Sequence, residues 1–299
     1  MKPGIPVAVV GSVNTDYSIF MKKLPKPGET VIASSADLFA GGKGLNQAVA
    51  AHRAGGDVTF TFSIGDDEDG RFLSGFLEQE QMDCLPLIDE SLSTSKAYIL
   101  VDEAGENQIS VIPGANHNPK LKEFNFHTGP GMLVLQLEIG NENNFALAKS
   151  AQQAGWRVVL TPAPFSQFDP KLLEHVDVLT LNESEAMETS SSTDFVTAGK
   201  SLSQLVDSVF VTRGSAGVAL FQQGEQIGEV DALVVESVDA TGAGDTFCGY
   251  LVAGLAQGFS NIDAAKLGTI AAGLSVQTRG ASNSIPLRAK VDEIFNKLS

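Results

Sequence analysis

The stretch LVLQLEIGNENNFALAKSAQQAGWRVVLTPA, residues 133–163, decides the fold class. Residues 133–139 form an almost unbroken apolar run, as do 157–163, and NNFALAKSAQQAG (143–155) between them has helical periodicity. This is strand, helix, strand, and continuous apolar runs mark strands buried on both faces of a parallel sheet. The alternation extends in both directions. Apolar runs VAVVGSV (7–13), TFTFSIG (59–65), DVLTLN (177–182) and SVFVTRG (208–214) read as further strands. NQAVAAHRAG (46–55), GRFLSGFLEQE (70–80) and VTAGKSLSQLV (196–206) read as the helices between them. From Gly244 the rhythm changes to two long helices, DTFCGYLVAGLAQG (245–258) and NIDAAKLGTIAAGLSV (261–276). The expected class is α/β, a mostly parallel central sheet flanked by helices.

Two segments interrupt this pattern. TDYSIFMKKLPKPGETVIASSADLF (15–39) alternates and is broken by Pro-Lys-Pro-Gly, and TSKAYILVDEAGENQISVI (94–112) reads as a hairpin turning at Glu103 to Gly105. A small antiparallel sheet built from 15–40 and 94–112 is expected to project from a core of 1–14, 41–93 and 113–299. Beside a cleft such a sheet suits a lid; an edge decoration or a dimer contact fits the same pattern.

The 299 residues carry a net charge of −16, a field that repels nucleic-acid backbones and anionic membranes. No apolar run approaches the ~18 residues of a membrane helix. The two cysteines, Cys84 and Cys248, lie outside any CxxC pattern, so neither a disulfide framework nor a zinc knuckle is expected. A reducing cytoplasm fits this usage.

Several motifs place polar groups at strand ends or in turns that open helices. GSVNTD (11–16) could aim Asn14 and Asp16 into one cleft, in a manner suited to sugar hydroxyls, or form an Asx turn. FAGGKGLNQAVAAH (39–52) resembles a phosphate loop, but the pattern G-x-x-x-x-G-K-[ST] finds Asp37 and Gly44 where it needs Gly and Ser or Thr. Its Gly41, Gly42 and Gly44 permit close backbone approach to a ligand, with Lys43 and Asn46 alongside. Glu138, and Asn182 with Glu185 in NESE, could hold a hydrated Mg²⁺, although N-x-x-E also reads as a capping box. TRGSAG (212–217) suits a hairpin or a turn along a nucleotide. DATGAGDT (239–246) is the strongest signal. Gly242, Ala243 and Gly244 can converge their N–H groups on an anion at a helix start, and Asp245 is either that helix's cap or a base.

Taken in order along almost the whole chain, GSVNTD, PGET, GGKGLNQA, IPGAN (112–116), TPAP (161–164), NESE, TRGSAG, DATGAGD and RGASNSIP (279–286) resemble the ribokinase-like, or PfkB-type, family of sugar kinases. The resemblance implies a Rossmann-like core with a β lid and ATP-dependent phosphorylation of a sugar primary hydroxyl. It implies Asp245 as catalytic base and the amides of Gly242, Ala243 and Gly244 as anion hole. It implies a sugar set of Asn14, Asp16, Gly42, Lys43, Asn46 and Glu138. Asn182 and Glu185 become the phosphate and Mg²⁺ partners; Thr212, Arg213, Gly214, Ser215 and Gly217, with Gly244 and Thr269, line the nucleotide. An activating monovalent cation, K⁺, would fall among Asp239, Thr241, Ser275, Thr278, Gly280 and Ser284. A homodimer through the lid is implied as well.

Leu45, Lys96, Tyr98 and Arg213 depart from the usual residues of that family. They leave the chemistry intact and set ribose beside deoxyribose, another pentose, a fructose-type hexose or a nucleoside as acceptor. Arg213 is expected to help balance phosphoryl charge. A sugar-binding regulator that kept the fold would need neither Asp245 nor the anion turn, and a dehydrogenase would need the G-x-G-x-x-G that is absent.

Overall fold

The computed structural model describes residues 4–298 apart from 118, 120, 122, 123 and 125. Nine strands form the large sheet: β1 (Val7–Val10), β4 (Val58–Gly65), β5 (Asp83–Asp89), β8 (Met132–Gln136), β9 (Arg157–Thr161), β10 (Val178–Asn182), β11 (Ser208–Thr212), β12 (Val218–Gln222) and β13 (Glu225–Val230). Their order is β13-β12-β11-β10-β9-β8-β1-β4-β5. Every pair from β11 to β5 is parallel, and only the β11–β12 and β12–β13 pairs run antiparallel.

The apolar runs explain this arrangement, because strands β1, β8 and β11 are buried on both faces and need a helical layer on each. On one face lie α1 (Lys43–Arg53), α2 (Glu68–Glu80), α6 (Ala243–Ala256), α7 (Asn261–Ser275) and α8 (Arg288–Leu298), around a core that includes Leu45, Phe60, Leu73, Phe247, Tyr250 and Leu267. On the other lie α3 (Asn141–Ala154), α4 (Glu183–Ser190) and α5 (Phe195–Leu202), around Leu135, Leu147, Leu172, Leu181 and Leu202.

Sequence periodicity missed β12 and both edges of this sheet. The strand β5 contains Pro86 and exposes Leu85 and Ile88, and β13 alternates exposed and half-buried residues, so neither reads as a buried run. The helix α4 buries only Ala186, which leaves no apolar stripe to detect. The run 133–139 also ends early as strand: Leu137–Ile139 coil into a 3-10 turn, which lifts Glu138 out of the sheet.

The small sheet joins β2 (Asn14–Phe20), β3 (Ser35–Gly41), β6 (Lys96–Val101) and β7 (Asn107–Ile112) in the order β3-β2-β6-β7. It is not wholly antiparallel: β2 pairs with β6 in parallel, and only the two hairpins, β2–β3 and β6–β7, are antiparallel. The reason lies in the large sheet. The strands β2 and β6 follow β1 and β5, two members that run the same way, and both leave by the same edge.

A charged contact ties this sheet to α2. The buried carboxylate of Asp69 accepts the Tyr17 hydroxyl at 2.7 Å and pairs with the Lys96 ammonium, while the Tyr17 and Tyr98 rings stack at 5.3 Å. Hydrogen bonds to charged groups contribute about 1.5–3 kcal/mol each. Replacement Asp69→Ala is therefore expected to speed hydrogen exchange in β2 and β6 by about tenfold or more, leaving β8 to β11 protected. Equal protection of β2 and β6 in variant and parent would show that the contact does not anchor the sheet.

Candidate active site

The expected residues converge at the carboxyl ends of the parallel strands. Ser12 to Asn14 follow β1, Glu138 follows β8, and Thr161, Asn182 and Thr212 end β9, β10 and β11. The chain leaves β1 for β4 and β5 on one side, whereas β8 to β11 fill the other. Such a switch point opens a crevice between diverging loops.

One half of the crevice is lined by carboxylates. Glu138 Oε2 accepts the backbone N–H of Lys43 at 3.2 Å and the Ser12 hydroxyl, and Ser12 Oγ in turn accepts Gly44 N–H at 3.3 Å. Asn116 holds Asn14 by donating to its Oδ1 at 3.0 Å and to Val13 O at 2.9 Å. Gly41 leaves room for Asp16, since a Cβ there would lie 2.6 Å from the Asp16 Cγ. Burial, and secondarily the charge of Glu138, push the Asp16 carboxyl up to about 7. Asp16 Oδ1 and Asn46 Oδ1 are buried acceptors with no donor among the described residues.

The α6 start forms the opposite wall. Its N-cap is Gly242, in the left-handed conformation at φ 73°, where a Cβ would also lie 2.9 Å from that of Ala281. Asp245 is thus not the helix cap that its sequence position allowed. It sits in the first turn, 7% exposed, with its carboxylate turned into the protein. Asn46 donates to its Oδ2 at 3.1 Å and Gln47 to its Oδ1 at 2.9 Å. Of the three amides expected to form an anion hole, Ala243 N–H is turned to Ala240 O at 3.2 Å, while those of Gly242 and Gly244 donate to nothing among the described residues.

A polar recess runs from Asp245 along Gly242, Ala243 and Gly244 to Lys43, Thr180, Asn182, Glu185 and Thr212. Asp245, ahead of Glu138 and Glu185, raises the affinity of the Lys43 ammonium for its proton against the effect of burial. Asn182 and Glu185 do form a capping box, each backbone N–H bonding the other's side chain at 2.9 Å. The box uses one oxygen of each residue. Among the described residues no group of three or more His, Cys, Asp or Glu is set to hold a metal. That donor set fits an ion carried mainly by water and phosphate rather than by a protein cage.

An apolar recess adjoins the polar one through Thr212, Ala243, Gly244 and Phe247. Gly214, Ser215, Gly217 and Thr269, the residues expected along a nucleotide, line it together with Val218, Leu233, Val235, Ala272 and Val276. The TRGSAG segment is also the hairpin turn between β11 and β12. Arg213 is a correction: its guanidinium donates to Ala216 O and to Glu229 at 3.0 Å each and lies over the Phe195 ring, so it serves the turn and not the phosphoryl site.

The residues expected around a monovalent cation meet at a loop junction beside the α6 start. Asp239 accepts Thr241 N–H at 2.9 Å and its hydroxyl at 2.6 Å through one oxygen, and Gly280 N–H at 2.9 Å through the other. Although burial raises it, these donors and Arg279 hold its carboxyl below the ordinary value. Thr278 N–H bonds Ser275 O, and Ser284 Oγ bonds Ala281 O. The Asp239 side chain is a tie between two loops, so an ion there would rest on backbone carbonyls.

Sequence motifs did not single out Gln47, Gln136, Ser12 or Thr161 as site residues. All four belong to runs read as strand or helix, and the available signal was a polar residue inside a wholly buried element: Gln47 and Gln136 are both 0% exposed.

Comparison with known proteins agrees with this geometry. The profile of the pfkB family carbohydrate kinases matches residues 6–288. The chain is 33% identical over 302 residues to the ribokinase of Haemophilus influenzae, covering 97% of this chain and 98% of that one. It is 34% identical over 306 residues to the bifunctional ribokinase/ribose-5-phosphate isomerase A of Fructilactobacillus sanfranciscensis, spanning 97% of this chain and 56% of that longer protein. The structure of Arabidopsis thaliana ribokinase complexed with ribose and ATP is similar with a TM-score of 0.86 at 29% identity, over 98% of this chain and 99% of that one. With the helix-start glycines, the inward aspartate and the paired recesses in place, the chain belongs to the pfkB family of carbohydrate kinases, ATP-dependent phosphotransferases.

Proposed function

We propose that the protein transfers the γ-phosphoryl group of ATP to a primary hydroxyl of ribose. The observation that carries the sugar reading is the pair of buried acceptors without donors, Asp16 Oδ1 and Asn46 Oδ1. A buried acceptor left without a donor costs about 1–3 kcal/mol, and the hydroxyls of a small polyol are donors of the right kind. The ribokinase names of the relatives, and the ribose and ATP bound in the Arabidopsis structure, support ribose as that polyol.

In this reading the sugar lies between Asn14, Asp16, Gly42, Lys43, Asn46 and Glu138, with its reacting hydroxyl on Asp245. Asp245 takes the hydroxyl proton as the oxygen bonds to the γ-phosphorus; the bond to the β–γ bridging oxygen breaks and ADP leaves. Amides of Gly242 and Gly244, aligned with the positive end of α6, hold the phosphoryl oxygens as charge spreads over them. The Lys43 ammonium balances the same charge from the opposite wall. The base of ATP occupies the apolar recess against Gly217, Val235 and Thr269. Asn182 and Glu185 would hold the Mg²⁺ that accompanies the nucleotide, and carbonyls around Asp239, Thr241, Ser275, Thr278, Gly280 and Ser284 would hold K⁺. These ions supply positive charge beside the phosphates and the anion hole.

The small sheet exposes Leu38, Tyr98 and Ile112 on one face and Ile109 and Val111 on the other, apolar side chains on a sheet whose edges are open, which supports a homodimer formed there. No described helix is long and apolar enough to cross a membrane, and the free cysteines Cys84 and Cys248 suit a reducing cytoplasm.

Release of ADP with a panel of pentoses, hexoses and nucleosides, with and without K⁺, tests the assignment. Ribose is expected to be the preferred acceptor, and turnover on none of them would refute kinase activity. Replacement Asp245→Asn should lower kcat by about 10²- to 10⁴-fold with KM for the sugar within a few fold; an active variant would remove the base.

A second prediction follows from Asp16. Its carboxyl moves from an ordinary 3.8 to about 7 in the fold, so its contribution to stability is full below the lower value and is lost as pH rises through the upper one. Sugar hydroxyls that donate to Asp16 favour its charged form. Binding near pH 6.5 should then release protons, seen as a calorimetric heat that varies with the ionisation enthalpy of the buffer. Asp16→Asn should abolish that variation, and a buffer-independent heat in the parent would contradict the coupling.

A further inference from the structure

Gln47 is 0% exposed and sits on α1, fully buried beneath the recess that Asp245 lines. Its side chain reaches three groups from three different elements. Nε2 donates to Asp245 Oδ1 at 2.9 Å and to Thr161 Oγ1 at 3.2 Å, and Oε1 accepts from Gln136 Nε2 at 2.7 Å. The direction of this chain is forced. A carboxylate only accepts, so Gln47 must present its amide nitrogen to Asp245, which leaves its oxygen for Gln136 and makes Gln136 the donor there. Thr161 Oγ1 is itself fixed, 2.7 Å from Thr180 Oγ1. Gly11 makes the space: a Cβ there would collide with the Gln136 amide. The two carboxylate oxygens of Asp245 are therefore unlike. Oδ1 is locked into the interior by Gln47, whereas Oδ2 meets Asn46, whose own Oδ1 has no donor.

We infer that Gln47 is a positioning residue for phosphoryl transfer. Braced by Gln136 and Thr161, it fixes the plane of the Asp245 carboxylate so that Oδ2 alone receives the proton of the sugar hydroxyl. The inference rests on Asp245 being the base. It assigns to Gln47 no contact with sugar or nucleotide, because Gln47 is fully buried and lines neither recess.

Steady-state kinetics on the full chain test it with ribose and ATP. Gln47→Met keeps length and volume but removes both amide functions. It should lower kcat by about 10- to 100-fold, the loss expected when a reacting group shifts by about an ångström, with KM for both substrates within threefold. Gln136→Met touches neither Asp245 nor substrate and should lower kcat by about 3- to 10-fold, since Gln47 keeps its other bonds. In an Asp245→Asn background Gln47→Met should cost no more than twofold, because the group through which it acts is gone. A residue that merely supports the fold would slow both backgrounds alike or raise KM.

A kcat within twofold of the parent for Gln47→Met, or equal losses in the two backgrounds, would overturn the positioning role. Thermal melting shows which variants fold. If Gln47→Met does not, Gln136→Met decides alone, and an unchanged kcat there refutes the brace. A fully active Asp245→Asn would instead refute the base, and that result is read from a different variant.

Discussion

Two hydrogen bonds join Asp245 to Asn46 and Gln47 across 199 and 198 residues of sequence, and the geometry of the site depends on them. A buried carboxylate must find donors, and these two come from a helix formed near the start of the chain. To bring them within reach, α1 and α6 must nearly touch. Gly249 on α6 allows this, since a Cβ there would lie 2.6 Å from Gln47 O. Gly44 plays the same part at the other side of α1, where a Cβ would lie 2.5 Å from Ser12 N. The helix α1 is thereby pressed between the end of β1 and the face of α6. The β1 loop, Lys43, Asn46 and Asp245 become neighbours through this one contact.

The small sheet extends the same logic. The strand β2 leaves β1 directly, so Asn14 and Asp16 are carried from the crevice into the sheet, while Asn116 from the 3-10 turn at Gly114–Asn116 clamps the departure point. Alternation along β2 sends Asp16 toward the crevice and Tyr17 toward Asp69 on α2. A movement of the sheet relative to α2 is therefore a movement of the Asp16 carboxylate in the crevice. In this chain the coupling is reinforced by Lys96 and Tyr98, two of the residues that depart from the family's usual small or aliphatic side chains.

The sequence made much of this legible. Continuous apolar runs marked the interior parallel strands because burial on both faces leaves no polar alternation, and the glycines at 41, 42 and 44 marked one tight approach because a Cβ at any of them would collide with its neighbours, whereas Gly249, which sets the other, stood unmarked inside a helix pattern. What stayed hidden had physical reasons. The edge strands β5 and β13 are half exposed, the direction of β2 against β6 is set by the large sheet rather than by either strand, and Gln47 looks like an ordinary polar residue in a helix until a distant carboxylate arrives beside it. Asp245 shows the limit most clearly. Its place at a helix start allowed a cap, and only the inward turn of its carboxylate, with Gly242 already at the cap position, decides against it.

The balance of charge gives the site its last constraint. The protein carries −16 overall, and Glu185 and Asp245 line the recess where phosphates would bind, with Lys43 the sole cationic side chain among its lining residues. Arg213, inside the turn of residues 212–217, is spent on Glu229 and Phe195. Attraction for a polyanion must then come from Lys43, from the amides at the α6 start and from cations that travel with the nucleotide. This explains why a glycine caps the α6 start. A side chain at Gly242 would displace Ala281 and the cap geometry, and with it the free amide that a site so poor in basic side chains has in place of another lysine.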